Sequence, residues 1–166
     1  MDILQFQLED DGKIPNSVFP LIVYKKAFDP DENLDLDEVM EETFAKNNWA
    51  NAWRNGVYPY HHYHSITHEV LGIYKGSAQL HLGGENGKNL DVEAGDVLII
   101  PAGTGHKKIS ASQDFAVLGA YPSGMEYDLL TGKDSERVNA LENIAKVPFP
   151  DNDPLLGKAG IQEFWK

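Results

Sequence analysis

Four side chains able to ligate a metal, His62, His64, Glu69 and His106, fall inside two glycine-bracketed segments of the chain. The first runs from Gly56 to Gly76 as GVYPYHHYHSITHEVLGIYKG, and the second from Gly95 to His106 as GDVLIIPAGTGH. His62 and His64 are two residues apart, so on an extended strand both imidazoles project from one face. Tyr58 and Tyr60 share that parity, whereas His61 and Tyr63 face the other way; His61 and His81 read as ordinary sheet residues. Imidazole nitrogens with a carboxylate oxygen suit iron, manganese, nickel, copper or zinc, and the absence of cysteine removes the thiolates that favour a closed structural zinc site. The expected cofactor is one divalent transition metal with an open coordination sphere, contributing Lewis-acid polarisation and orientation of a small-molecule substrate. No Ser-His-Asp or Cys-His nucleophile order is readable.

These residues need particular elements to position them. After a Ser65-Ile66-Thr67 break, the β-branched and apolar run from Glu69 to Tyr74 reads as a strand that Glu69 starts and Gly76 ends. Asp96 to Ile100 reads as a buried strand, and the turn chemistry of Pro101 to Gly105 delivers His106 onto the next one. A histidine from one hairpin can meet a histidine pair and a carboxylate from another only if the hairpins face each other across a barrel or sandwich. The whole region from Gly56 to Tyr121 has the strand-and-turn spacing of such an all-β fold, with a turn at Gly83 to Gly87. Leu4 to Phe6 and Val18 to Tyr24 predict short accessory strands. Leu36, Val39, Met40 and Phe44 recur at helical spacing between Asp35 and Asn47, with Asp35 and Glu38 as capping pair and first-turn acid. Trp49 and Trp53 follow, either roofing the cavity or packing beneath that helix. A second helix is expected over Ser135 to Ala145, capped by Ser135 or Asp134, with Val138, Leu141 and Ile144 on one side. The tail PFPDNDPLLGKAGIQEFWK is apolar enough to dock on the barrel or on a second subunit.

The two segments resemble the cupins. The first cupin motif is G(X)5HXH, three or four residues, then E(X)6G, and Gly56, His62, His64, Glu69 and Gly76 match every fixed position. The second is G(X)5PXG(X)2H(X)3N, matched by Gly95, Pro101, Gly103 and His106, with Ser110 in place of the final asparagine. The stretches NAWRNGVYPYHHYHSITHEVLG, DFAVLGAYPSG and VPFPDNDPLLG are similar to the YjlB-like single-domain cupins. The resemblance implies a jelly-roll β-barrel, or double-stranded β-helix, with helices near both ends of the chain. It also implies one divalent metal held by His62, His64, Glu69 and His106. Three residues before the acid would put His68 in the ligand slot; counting back seven from Gly76 selects Glu69, and strand alternation then turns His68 away unless a bulge intervenes. Tyr58, Tyr60, His68, Lys108 and Ser110 are the cavity-lining candidates, and an inward Lys108 would favour a carboxylate or enolate substrate.

The implied activity is a metal-dependent dioxygenase-type oxidoreductase acting on a small molecule that chelates the metal. A metal-dependent isomerase, epimerase or lyase on a sugar or keto acid is an alternative, but it needs a base and none is evident beyond the ligands. A non-catalytic binding or sensing cupin is the third reading, and the chain offers no helix-turn-helix reader to go with it. Composition bounds the rest. A chain of 166 residues predicts one cupin domain, with strands and a helix over 1–55, both motifs in a core over 56–122, and a helix and docking tail over 123–166. Fourteen basic against 26 acidic residues give a formal charge of -12, which repels phosphate backbones and anionic headgroups and argues against nucleic acid and membrane partners. No stretch has the apolar length of a membrane span, MDILQFQLEDDG lacks a signal core, and the lack of cysteine fits a reducing compartment; a cytoplasmic homodimer is the expectation.

Overall fold

A computed structural model describes residues 1–32 and 35–166. Among the described residues nine strands run in chain order: β1 (Asp2–Phe6), β2 (Leu21–Lys25), β3 (Trp49–Asn55), β4 (Glu69–Lys75), β5 (Ser77–Leu82), β6 (Lys88–Glu93), β7 (Val97–Ile100), β8 (His106–Ala111) and β9 (Ala116–Pro122). Helix α1 (Leu36–Lys46) lies between β2 and β3, while a short 3-10 turn (Asp134–Glu136), α2 (Arg137–Lys146) and α3 (Ile161–Phe164) follow the last strand. The strands form two antiparallel sheets, one ordered β1-β2-β7-β4-β9-β3 and the other β6-β5-β8.

Strand alternation sorts the apolar residues into two cores. Leu21 and Val23 of β2, Leu71 and Ile73 of β4, Leu98 and Ile100 of β7 and Val117 of β9 meet Leu80, Leu82, Leu90 and Val92 of the smaller sheet. This is the interior of an all-β jelly roll, the double-stranded β-helix that the motif resemblance implies. The opposite face of the larger sheet carries Ile22, Tyr24, Val70, Val97, Ile99 and Leu118, and it is covered by Leu36, Met40 and Phe44 of α1 and by Ile161 and Trp165 of the tail. Burial on both faces explains why β2, β4 and β7 read as continuous apolar runs rather than alternating ones.

The tail is fastened through Asp153, which is fully buried. Its Oδ2 accepts from the Tyr24 hydroxyl (2.5 Å) and the Ile161 N–H (3.1 Å), and its Oδ1 accepts from the N–H groups of Leu155 and Leu156 (2.7 and 2.9 Å). The Trp165 indole N–H donates to the Pro20 carbonyl (2.8 Å).

Two helical expectations need correction. Asp35 stands at the N-cap of α1 without a side-chain capping hydrogen bond. In α2, Ala140 rather than the predicted stripe faces inward: Val138 is 70% exposed and Leu141 42%. The inward face of α2 is partly polar: Arg137 pairs with Asp10 and Asn143 donates to Ser65 (3.1 Å), so Ala140 and the half-buried Ile144 supply its apolar contact and Val138 and Leu141 face solvent.

Candidate metal centre

The two motif segments meet inside the barrel mouth. Residues 58 to 62 run antiparallel to β8, with Lys108 N–H donating to the Tyr58 carbonyl (2.9 Å) and His62 and His106 exchanging backbone hydrogen bonds (3.0 and 3.2 Å). This irregular edge extends the smaller sheet and places the His62 and His106 rings 4.0 Å apart, centroid to centroid. His64 follows on the same face, its ring 5.9 Å from His62 and 5.6 Å from His106, while Tyr63 turns outward against Ile14 and Ala140. All three histidines are buried.

Each ring is held the same way. The Nδ1–H of His62 donates to the Tyr60 carbonyl (3.1 Å), that of His106 to the Thr104 carbonyl (3.1 Å), and that of His64 to the Asp128 carbonyl (2.5 Å). An imidazole whose Nδ1 carries and donates a proton to the backbone leaves Nε2 as the nitrogen that can face a metal. Ligand atoms of His62, His64 and His106 lie within 4.8 Å of one another, so the three could hold a metal ion.

Glu69, the first residue of β4, shares the inward parity of Leu71 and Ile73 and is buried beside the imidazoles. Its Oε2 is 3.3 Å from His64 Nε2 and its Oε1 is 3.4 Å from His106 Nε2. Burial alone would raise the Glu69 pKa, but the His64 charge and the hydrogen bonds from His106 and His64 outweigh it and hold the carboxyl below the ordinary range. Burial likewise opposes a charge on His64, and Glu69 overcomes it, so the His64 pKa is raised. His62, farther from the carboxylate, is lowered to about 3, first by burial and then by His106.

Behind Glu69 runs a relay from the opposite wall. The Trp53 indole N–H donates to the Tyr121 hydroxyl (2.6 Å), which donates to Glu69 Oε2 (2.9 Å). Gly119 makes room for it: a Cβ there would lie 2.3 Å from the Trp53 ring. Asn16 supports the other side, in the left-handed region at φ 56°. Its N–H donates to the Gly103 carbonyl (2.8 Å), its Oδ1 accepts from the Gly105 N–H (3.2 Å), and Gly103 at φ 93° donates to the His64 carbonyl (2.8 Å). The turn that delivers His106 is thus tied to the segment carrying His64. A cavity of about 310 Å³ opens onto the centre, lined by His62, His64, Glu69, His106, Trp53, Tyr58, Lys108, Tyr121 and Tyr127 among others.

Of the five cavity-lining candidates, Tyr58 and Lys108 line this space and three do not. Tyr60 is 43% exposed and stacks on Tyr58 at 5.0 Å, because the chain bends at Pro59 and Tyr60 and alternation does not carry through. Ser110 leaves the interior at a bulge: Leu80 pairs with Lys108 but Gln79 with Ser110, so Ile109 is the extra residue and Ser110 turns to the outer face with Gln79. His68 sits on the far side of the larger sheet, where its Nδ1 accepts from the Ala102 N–H (2.9 Å) and its ring lies 4.8 Å from Trp165. The bulge that would have turned it inward does not occur at the start of β4, where Glu69 to Gly72 pair in continuous register with Ile100 to Val97.

Trp49 and Trp53 divide the two roles foreseen for them: Trp49 packs in the outer core beneath α1, and Trp53 faces the cavity. Tyr121, Tyr127 and Asp128 were not anticipated. Tyr121 was within reach of alternation, since Val117, Gly119 and Tyr121 share a face of β9, whereas Tyr127 and Asp128 lie in an irregular stretch with no periodic signal.

No family model matches the chain. A curated relative, described as the uncharacterized protein YjlB of Bacillus subtilis (strain 168), is 47% identical over 158 residues, covering 94% of this chain and 92% of its own length. Among solved structures, a DUF861 family protein from Thermotoga maritima is similar at TM-score 0.37 and 17% identity, covering 60% of this chain and 96% of that one. A cupin-2 domain protein from Shewanella frigidimarina matches at TM-score 0.34 and 24% identity over 43% of this chain and 66% of that one. A mutant of Bacillus subtilis oxalate decarboxylase matches at TM-score 0.40 and 16% identity over 68% of this chain and 28% of that one. With its two motif segments meeting in a two-sheet barrel and a relative matched over nearly its whole length, the chain belongs to the family of YjlB.

Proposed function

We propose that His62, His64, Glu69 and His106 hold one divalent transition metal, and that the protein is a metal-dependent dioxygenase-type oxidoreductase acting on a small molecule that chelates it. The observation that carries this reading is the common anchoring of three buried imidazoles, each donating Nδ1–H to a backbone carbonyl and so turning Nε2 towards the shared centre. Three imidazole nitrogens beside a buried carboxylate, with no thiolate, fit iron, manganese, nickel, copper or zinc. When bound, such an ion supplies Lewis acidity and, as iron, electron transfer to dioxygen.

The chain's own residues bind, orient and exclude water. Tyr121 fixes one oxygen of Glu69, and Trp53 fixes Tyr121. Trp53, Tyr58, Tyr121 and Tyr127 wall the cavity with aromatic surface that favours a flat organic molecule over water. Among the described residues, the titratable groups lining the cavity beyond the four ligands are Arg54, Lys108 and three tyrosines. Burial, the Glu69 charge and the bond to Glu69 raise the Tyr121 pKa, and Arg54 is ion-paired to Asp37 and Glu41. No carboxylate or imidazole is left over as the base that a sugar or keto-acid isomerase requires, and this favours the oxygenase reading. Elemental analysis of protein purified without chelator, followed by oxygen uptake on the iron-loaded form with β-diketones, thiols and catechols, tests it. Uptake with one class supports the reading; full iron content with no uptake across the panel contradicts the oxygenase assignment and leaves the metal site.

A further inference from the structure

We infer that the cavity recognises a small, flat carboxylic acid, most simply an aromatic one, whose carboxylate pairs with Lys108 while its other end reaches the imidazole centre. The inference names the substrate class for the metal-centre reading and rests on it.

Two cations line the cavity, Arg54 and Lys108. Arg54 is already committed: its Nε donates to Asp37 Oδ2 (2.9 Å) and its Nη1 to Glu41 Oε1 (2.8 Å), both carboxylates belonging to α1 outside the barrel. Strand alternation explains the division, since Trp53 pairs with Gly119 and faces the cavity while Arg54 pairs with Leu118 of the outer core. Lys108 is different. Among the described residues its ammonium has neither a hydrogen bond nor an ion pair. In a chain of formal charge -12, where carboxylates are plentiful, a half-buried lysine left unpaired in a cavity wall is a cation placed to meet an anion.

Its position on β8 places that anion beside the imidazole centre. His106 pairs with Leu82 and Lys108 with Leu80, both inward-facing residues of β5, so the two side chains lie on one face of β8. At the rise of an extended strand their Cα atoms are roughly 6.5–7 Å apart, so one small molecule can meet both side chains. The walls between them, Trp53, Tyr58, Tyr121 and Tyr127 with Val57 and Leu71, suit a flat apolar body, and a space of about 310 Å³ holds one. Formal charge agrees: a divalent ion against the Glu69 carboxylate leaves a net single positive charge at the floor, and Lys108 adds a second at the wall. A lone ammonium, without an arginine fork, suits a carboxylate at that wall.

The test is calorimetric titration of the full-length, zinc-loaded protein, which cannot turn over, with protocatechuate and with its neutral analogue protocatechuamide. Both carry the same chelating catechol, and only the acid brings a negative charge to Lys108. The acid should bind roughly tenfold more tightly than the amide, the size of one charge-assisted hydrogen bond. Lys108→Met should abolish that difference with zinc content and amide affinity unchanged, and Lys108→Arg should retain it. Equal affinity of the wild-type protein for acid and amide, or binding of neither by protein of full zinc content, overturns the inference while leaving the metal centre. Failure to take up zinc, iron or manganese at all removes the metal-centre reading, and the inference falls with it.

Discussion

Tyr121→Phe removes one oxygen from the centre of the wall and leaves nearly everything else in place. The ring is fully buried, stacks on Tyr127 at 5.1 Å and meets His64 edge-on at 6.4 Å, and phenylalanine preserves both contacts. What is lost is the hydroxyl that accepts from Trp53 at 2.6 Å and donates to Glu69 at 2.9 Å. The bond to the carboxylate is charge-assisted and contributes about 1.5–3 kcal/mol, and the neutral bond from Trp53 about 1 kcal/mol. Trp53 is only half-buried and its N–H can turn to cavity water, so most of the second contribution is recovered. The metal-free variant should therefore lose about 2 kcal/mol, a fall in Tm of roughly 4–8 °C for a chain of this size. With Glu69 no longer fixed through Oε2, metal affinity should fall by roughly 10- to 100-fold, the range seen when an outer hydrogen-bond partner of a ligand is removed. Urea denaturation of the metal-free protein gives the first quantity, and competition against a chelator gives the second. A variant that is destabilised but keeps its metal affinity within about twofold would refute the positioning role and leave Tyr121 as a packing residue.

Three further outcomes follow from the same geometry. Gly119→Ala places a Cβ 2.3 Å from the Trp53 ring, so the indole must move and release Tyr121; a loss of about 1–3 kcal/mol in thermal denaturation is expected, and an unchanged Tm contradicts the close approach. Asp153→Ala strips the acceptor from Tyr24 and from three backbone N–H groups, and should cost about 3 kcal/mol or more while exposing the tail to limited proteolysis; a tail that stays protected would refute the anchoring role. His68 is lowered from 6.5 to about 4 by burial, so between those values the unfolded chain binds a proton that the fold does not. Stability contributed above pH 6.5 is then lost as pH falls towards 4, by about 3 kcal/mol over that window. Acid unfolding of the metal-free protein checks this, because His68→Gln should flatten that limb of the curve, and superimposable curves would contradict it.

Much of the site was legible because it sits where backbone periodicity is regular. The parity that groups His62 with His64 survives although the segment forms only isolated bridges, since His62 pairs with His106, Tyr63 with Leu130, and the His64 carbonyl accepts from Gly103. Glu69 could be separated from His68 because β4 starts in unbroken register. Parity failed where the register slipped, at Ile109 before Ser110, and where the strand was interrupted, at Tyr60. The stripe of α2 misled for another reason: helical spacing marks which residues share a face but not how much of that face has something to pack on. Tyr127 and Asp128 were invisible because their roles, a wall and a carbonyl for His64, depend on where an irregular segment crosses the barrel mouth. Lys108 was named from parity, whereas its unpaired state emerged only once α1 was seen to occupy Arg54.

The central claim, that His62, His64, Glu69 and His106 share one ion, is tested most directly by metal stoichiometry. Protein purified without chelator should carry about one divalent ion per chain at neutral pH, with occupancy falling on acidification as His64, whose pKa Glu69 raises, takes up a proton in competition with the ion. His106→Ala, which removes one of the three clustered imidazoles, should leave the protein folded with less than about a tenth of that content. A wild-type chain that binds no transition metal, or a His106→Ala variant that retains a full equivalent, would contradict the account.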